Sequence, residues 1–236
     1  MGLPKFSHPQ FELKLPSTGQ TLFYRPFLVK EEKVMLIAQQ GGSRAEIVNA
    51  IKQIIQNCIA TPGIDVDSFA PFDIEYFFLK LRSKSVSNTV EMSYRDNEDE
   101  EVRKFTIDLD QVEVVFTEGH NNVIDLPDNF KIRMKYPDSK SVDKIAGAES
   151  EVEGFFWMVR SCIDILYRDS EVYKFSEYSD AEVEEFITSL PVTVLAEVRK
   201  YVETMPRLKY DIKYVNNIGN DRTITLNSLD DFFTLG

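Results

Sequence analysis

Residues that bind transition metals are scarce in this sequence. Its 236 residues include two cysteines, Cys58 and Cys162, and two histidines, His8 and His120. Two isolated cysteines cannot supply a four-ligand zinc site, and the two histidines lie far apart in loop-like contexts. Both cysteines fall within apolar helical patterns, which favours buried, protonated thiols over reactive ones. We therefore expect no bound metal, no other cofactor and reducing surroundings.

Positive charge is also limited, and long apolar runs are missing. The chain has 27 Lys and Arg against 39 Asp and Glu, which gives a net charge of −12. Nucleic acid and anionic membrane surfaces would repel such a chain, and no long basic run offsets the repulsion. No apolar stretch reaches the roughly 18 residues of a membrane span. A neutral or basic protein partner is the easier inference, and simple solubility is the alternative explanation of the acidity.

The familiar catalytic motifs are missing as well. There is no G-x-S-x-G serine motif, no Walker phosphate loop and no H-E-x-x-H zinc motif. Pairs of acids do occur near the ends of predicted elements, where carboxylates stabilise helix starts. These pairs are Asp65 with Asp67, Asp73 with Glu75, and Asp108 with Asp110. The sequence therefore predicts no catalytic residue.

The chain does have the aromatic content of a packed core, with 17 Phe and 10 Tyr. Alternating apolar residues predict a short N-terminal hairpin, and helical spacing predicts three helices after it. Further strands predict a small antiparallel sheet, in which the acidic run at residues 96–101 is a solvated hairpin tip. The predicted elements of this half are strands at 11–15 and 20–24, helices at 29–40, from 43 and at 71–84, and strands at 89–94, 102–108, 112–117 and 130–136.

The C-terminal part returns to helical patterns and ends with a hairpin. Two capping boxes, at Ser43 with Glu46 and at Ser179 with Glu182, predict helix starts. Predicted here are helices at 149–167, from 179 to about 190 and from 191 to about 204, then strands at 208–215 and 221–226.

The predicted fold class is α+β: helical N- and C-terminal lobes, a small antiparallel β region between them and the short N-terminal hairpin. The predicted regions are 1–88, 89–138 and 139–236, with one continuous domain as the alternative.

Two sequence blocks carry a family resemblance. Tyr24–Lys33 reads YRPFLVKEEK, and Phe72–Val86 matches the pattern FDxEYxFLxLRxKSV. Both blocks resemble the baseplate hub subunit family of T-even-like contractile-tailed phages, and Leu229–Phe233 looks like the family's ending. The resemblance covers about the first 90 positions firmly and the rest more loosely.

The resemblance implies a baseplate hub component that acts through protein–protein contacts and is not an enzyme. Its partners would be other hub or tape-measure proteins, and a homo-oligomer is also open. Its place would be the virion tail baseplate, with the host cytoplasm during assembly. The alternative is an assembly chaperone for a hub or tape-measure protein, absent from the mature virion. A cell-wall hydrolase is a third class, which the missing nucleophile and metal motifs argue against.

Two segments supply candidate partner contacts. The first block alternates charge on a helix start, and its charges either fix helix packing or meet a partner. The C-terminal segment is too short to be stable as an isolated helix, so its own core or a partner's groove must hold it. The candidates are Arg25, Lys30, Glu31, Glu32, Lys33, Leu229, Phe232 and Phe233.

Overall fold

The computed structural model describes residues 6–41 and 43–233, the last of these through its backbone alone. Its helices are α1 (Val29–Gly41), α2 (Arg44–Cys58), α3 (Pro71–Ser85), α4 (Ser139–Ala146), α5 (Glu151–Cys162), α6 (Asp180–Ser189), α7 (Val192–Glu203) and α8 (Leu229–Phe233). Its strands are β1 (Phe11–Lys14), β2 (Thr21–Tyr24), β3 (Thr89–Arg95), β4 (Val102–Asp108), β5 (Glu113–Val115), β6 (Val123–Asp125), β7 (Lys131–Met134), β8 (Ile163–Arg168), β9 (Glu171–Lys174), β10 (Arg207–Val215) and β11 (Asp221–Leu226). The predicted α+β class, with small antiparallel sheets, is confirmed.

These elements belong to two compact units. The first contains the described parts of residues 1–66, 72–115 and 207–236, and the second contains residues 67–71 and 116–206. Strands predicted as one middle β region are divided between them, because β5 pairs with β10 and β7 pairs with β8. Such long-range partners are set by the three-dimensional fold, and local apolar patterns do not identify them.

The first unit begins with the predicted hairpin. β1 and β2 pair antiparallel, with Phe11 opposite Tyr24. Their period of two turns Leu13, Leu22 and Tyr24 inward, and all three are buried. The turn between the strands contains Gly19 at a φ of 71°, a conformation that glycine adopts without steric strain.

Helix α3 is central to the first unit, as its apolar circumference predicts. Phe77, Leu79 and Leu81 are fully buried along it. At its start, the buried Asp73 accepts hydrogen bonds from the backbone N–H of Ser17, at 3.0 Å, and from the Ser17 hydroxyl. Asp73 therefore anchors the β1–β2 turn.

The predicted hairpin of β3 and β4 is present, and most of its acidic turn is exposed. The turn also packs against the β10–β11 turn, so the prediction of a solvated tip is wrong for Asp96 and Asp99. Asp96 is fully buried and accepts a hydrogen bond from the Tyr214 hydroxyl at 2.6 Å. Asp99 pairs with Arg103 at 2.5 Å and accepts the Asn217 N–H at 2.9 Å. These hydrogen bonds, led by those from Tyr214 and Arg103, hold the pKa of each aspartate below its ordinary value.

Glu98 also joins the β3–β4 turn to the β10–β11 turn. We call Asp96, Glu98 and Asp99, with the residues that they bind, the hairpin clamp. The Glu98 carboxylate accepts hydrogen bonds from the side-chain amides of Asn216, at 2.8 Å, and Asn220, at 2.9 Å. It also pairs with Arg222 on β11. The acidic β3–β4 turn is therefore held by an asparagine-rich turn more than a hundred residues away in the sequence. Neither turn predicts this contact by its own sequence.

The hairpin clamp should weaken in acid. A carboxylate whose folded pKa is depressed stabilises the fold above its unfolded pKa, about 3.9 for Asp, and that contribution is lost as the pH falls through the folded pKa. We expect Asp99→Asn to have a lower free energy of unfolding than the wild type at about pH 5. The difference between the two proteins should be smaller at about pH 3. Urea unfolding at both pH values measures the difference.

Asp125→Asn is the matched control, because the Asp125 side chain is 82% exposed. It should differ little from the wild type at either pH. A difference between Asp99→Asn and the wild type that stays constant or widens in acid would show that the charged form of Asp99 does not stabilise the hairpin clamp.

The second unit is built on the antiparallel sheet β6-β7-β8-β9. The helix predicted over residues 149–167 ends at Cys162, and its last five residues belong to β8, so that part of the prediction is wrong. Pairing of Ile163, Ile165 and Leu166 with β7 overrides their helical spacing. The fully buried core residues include Ile132 and Val159.

The Ser179–Glu182 capping box is confirmed, and it opens α6 as predicted. The Ser43 hydroxyl likewise accepts the Glu46 N–H at the start of α2.

His120, in the second unit, is held by two hydrogen bonds and by ring stacking. Nδ1 of His120 hydrogen-bonds the Thr204 hydroxyl at 2.9 Å, and its Nε2 hydrogen-bonds the Tyr136 hydroxyl at 3.2 Å. Its ring stacks on Tyr201 with a centroid distance of 4.8 Å. Burial lowers the pKa of His120, so the neutral ring is favoured.

Candidate partner-contact surface

Helix α1 is held in place by an ion pair at its start. Glu31 is 1% exposed, and its Oε1 lies 2.9 Å from the Arg25 guanidinium. Its Oε2 accepts the Leu28 N–H at 2.9 Å, which satisfies a free amide at the helix N-terminus. Arg25 also donates to the carbonyls of Pro26, at 2.9 Å, and Asn57, at 3.0 Å. These bonds tie α1 to the end of α2.

Electrostatics favour the ionised pair. Burial by itself raises the pKa of Glu31, but the hydrogen bonds from Arg25 and from the Leu28 N–H bring the pKa below its ordinary value. Glu31 is therefore charged at neutral pH and part of the protein's own framework.

The outer face of α1 carries aliphatic side chains in solvent. The helix packs against α2, and Glu31 and Ala38 are buried. On the other side Val29 is 87% exposed, Leu36 52% and Ile37 58%. Their spacing of seven and eight residues places them on one side of the helix. We call Val29, Leu36 and Ile37 the α1 outer face.

The structure divides the candidate charges of the first block. Arg25 and Glu31 form an ion pair within the protein, which is the helix-packing alternative that the sequence left open. Lys30, Glu32 and Lys33 are exposed beside the α1 outer face, and Lys30 also approaches Glu31 at 3.3 Å. The sequence analysis did not identify the exposed aliphatic residues of α1. A signal was present, because residues 34–38 are all apolar and therefore place apolar side chains on more than one side of the helix.

The C-terminal candidates lie within the first unit. Phe232 is 2% exposed and belongs to a core cluster with Leu79, Ile107 and Leu208, against which Leu229 also packs. The side chain of Phe233 lies outside the described residues. The structure therefore favours the core alternative over docking for Leu229 and Phe232.

Side-chain carboxylates accept hydrogen bonds from backbone N–H groups at the start of α8, which explains how so short a helix forms. The Asn227 and Ser228 N–H groups donate to Asp231 Oδ2 at 2.8 and 3.0 Å. The Leu229 N–H donates to Glu75 of α3, whose pKa burial raises to about 7, with further raising by Asp230 and Asp231. Side-chain carboxylates thus satisfy the amides that a short helix leaves free.

Both cysteines are buried. Burial raises the pKa of the Cys58 thiol to about 11 and that of the Cys162 thiol to about 12, so both are protonated at neutral pH. Within residues 6–41 and 43–233, no group of three or more His, Cys, Asp and Glu is placed to hold a metal ion. In the same described ranges, no helix is long and apolar enough to span a membrane.

Comparison with known proteins gives one family. A protein-family model described as T4 bacteriophage base plate protein matches residues 8–234. Comparisons with curated proteins and with solved structures gave no match. The matched range takes in α1 with its outer face, α3 and the backbone of α8.

Proposed function

The chain belongs to the T4 bacteriophage base plate protein family, and from that premise we propose that it is a non-enzymatic component of the baseplate hub. It works through protein–protein contacts, and the observation that carries this role is the exposed aliphatic face of a firmly anchored helix. Its place is the virion tail baseplate, which it reaches after assembly in the host cytoplasm.

The α1 outer face has the properties of a contact surface. Exposed aliphatic side chains that lie together on one surface, in contrast to ones scattered singly, mark interaction sites. Covering Val29, Leu36 and Ile37 would contribute about 3–5 kcal/mol of transfer free energy. The buried Arg25–Glu31 pair fixes the direction of the helix beforehand, which lowers the ordering cost of binding.

The occupant is another baseplate protein, a hub or tape-measure protein. A second copy of this chain carries the same net charge of −12, which opposes self-association. The exposed Lys30 and Lys33 beside the face favour a partner with acidic residues at the edge of its own contact.

The non-enzymatic part of the proposal is supported by the state of the reactive groups. Both thiols are buried and protonated, and His120 is held by Tyr136 and Thr204. Asp73, Asp96 and Asp99 each serve as hydrogen-bond acceptors within the fold.

Charge placed on the outer face should abolish partner binding. We expect the double variant Leu36→Asp with Ile37→Asp to stay folded, because both side chains are more than half exposed. Its affinity for the partner should fall by about a hundredfold or more, since two carboxylates would be desolvated in an apolar contact. Co-purification with individually co-expressed hub and tape-measure proteins, followed by calorimetry on any pair that forms, measures the loss.

Val172→Asp with Val192→Asp is the matched control, because these valines are 58% and 81% exposed in the second unit. It should bind like the wild type. Equal losses in the two variants would remove the assignment to α1, and concentration-dependent dimerisation that Leu36→Asp with Ile37→Asp abolishes would assign the face to a second copy.

A further inference from the structure

The second unit contains a cleft of about 420 Å³ with a positively charged lining. Lys135 follows β7, Lys144 lies on α4 and Arg160 lies on α5, and all three line the cleft. One lining carboxylate, Asp138, opposes them. Three cations thus converge with one acid, in a chain where acids outnumber bases by 39 to 27.

The lysines of this cleft are not neutralised by the protein itself. Asp138 is engaged as the N-cap of α4, where it accepts the Ser141 N–H at 2.8 Å. Among the residues that the structure describes, the Lys135 and Lys144 side chains make no ion pair. Within this described part of the chain, the cleft therefore has two lysines that make no ion pair, and its lining cations outnumber its one carboxylate, which favours an anionic occupant.

The chain's only tryptophan fixes two of the cations. Lys144 Nζ lies 5.3 Å and Arg160 Cζ 5.5 Å from the centre of the Trp157 ring. These cation–π contacts hold both charges near the cleft without neutralising them. Trp157 Nε1 donates to Glu153 at 3.3 Å, which sets the orientation of the ring.

The floor and rim of the cleft indicate what kind of anion fits. Arg160 already binds one carboxylate, that of Asp180, whose side chain is 77% exposed at the surface. The buried Ile163 and Val183 and the half-buried Phe175 give the cleft an apolar floor. Carboxylates at separated positions, with aliphatic groups between them, match this lining better than one compact phosphate does.

We propose that this cleft binds a short acidic segment of a partner protein, whose Asp or Glu carboxylates meet Lys135 and Lys144 while its apolar atoms lie along Trp157 and Phe175. The assignment rests on the proposed role in protein–protein contacts, and it adds a second surface, in the second unit, for a partner of stated charge.

The single tryptophan makes the test direct. A short synthetic peptide of alternating Glu and Ala, added to the full chain, should change the Trp157 emission in a saturable way that weakens with salt. The same peptide with Gln in place of Glu should leave the emission unchanged.

The lysines should account for the binding. Lys135→Gln with Lys144→Gln should lower the affinity for the Glu–Ala peptide by about tenfold, because two partly exposed charge pairs are lost. Lys144→Arg, which keeps the charge, should bind within about twofold of the wild type. Lys131→Gln with Lys200→Gln removes the same charge from elsewhere in the second unit and should leave the affinity unchanged.

Several results would overturn the assignment. An unchanged Trp157 emission, or equal weakening by the Lys131→Gln and Lys200→Gln control, would show that the cleft does not bind the acidic peptide. Tighter binding of inorganic phosphate or of a single-stranded oligonucleotide would assign the cleft to phosphate instead. Leu36→Asp with Ile37→Asp should retain peptide affinity, so failure at the cleft and failure at α1 are measured separately.

Discussion

Replacing Phe232 with alanine should lower the free energy of unfolding by about 3–5 kcal/mol, the cost of removing a fully buried aromatic ring. The ring is 2% exposed and lies in the same cluster as Leu79, Ile107 and Leu208. The cavity would be bordered by α3, β4 and β10, so the loss should affect the first unit as a whole. Urea unfolding of the purified variant measures it.

Phe6→Ala is the control for this prediction. Phe6 is 80% exposed, and its replacement should change the free energy of unfolding by less than about 0.5 kcal/mol. A Phe232→Ala protein with wild-type stability that fails to bind hub or tape-measure proteins would return the C-terminal helix to the docking role that the sequence left open.

Replacing Glu31 with alanine should destabilise the chain by about 2–4 kcal/mol, because it removes one partner of a buried ion pair. Arg25, whose side chain is 20% exposed, would keep its carbonyl partners but lose its counter-charge. The Leu28 N–H would lose its acceptor at the start of α1. Partner binding through the α1 outer face should weaken as well, because the helix would lose its fixed direction.

Glu32→Ala tests whether burial causes this effect. Glu32 is the next residue on the same helix but is exposed, and its charge acts on the half-buried Arg82, so its loss should cost less than about 1 kcal/mol. Thermal unfolding of both variants at neutral pH makes the comparison. Equal melting temperatures for the two would show that the Arg25–Glu31 pair does not hold α1.

The local elements were largely predictable from the sequence. Turn residues and alternation placed the β1–β2 and β10–β11 hairpins within a residue or two, and capping chemistry placed the start of α6. These signals act over a few residues, so they can be read without knowledge of the fold. The buried faces of α2 and α3 also follow from apolar spacing.

What the sequence did not reveal depends on distant partners. β8 has helical spacing but becomes a strand because β7 and β9 pair with it on both sides. The acids at 96, 98 and 99 look solvated until the β10–β11 turn is placed against them. Glu31 resembles its exposed neighbour Glu32 in every local respect, and only the position of Arg25 beside it identifies the buried member of the pair.

The same limit applies to the candidate contact surfaces. The candidates from the first block were charged residues, whereas the structure exposes the aliphatic side chains of Val29, Leu36 and Ile37 on the same helix. The cleft at Trp157 combines residues of α4, α5 and the segment after β7 that are dispersed along the chain, so no single motif marks it.

The most direct test of a baseplate role through the α1 outer face is quantitative mass spectrometry of purified baseplates. The baseplates would come from cells that produce either the wild-type chain or the Leu36→Asp, Ile37→Asp variant. We expect the wild-type chain to be present in stoichiometric amount, and the folded variant to be produced but missing from the particle. Absence of the wild-type chain would fit an assembly chaperone and contradict a resident subunit, and incorporation of the variant at the wild-type level would contradict the assigned surface.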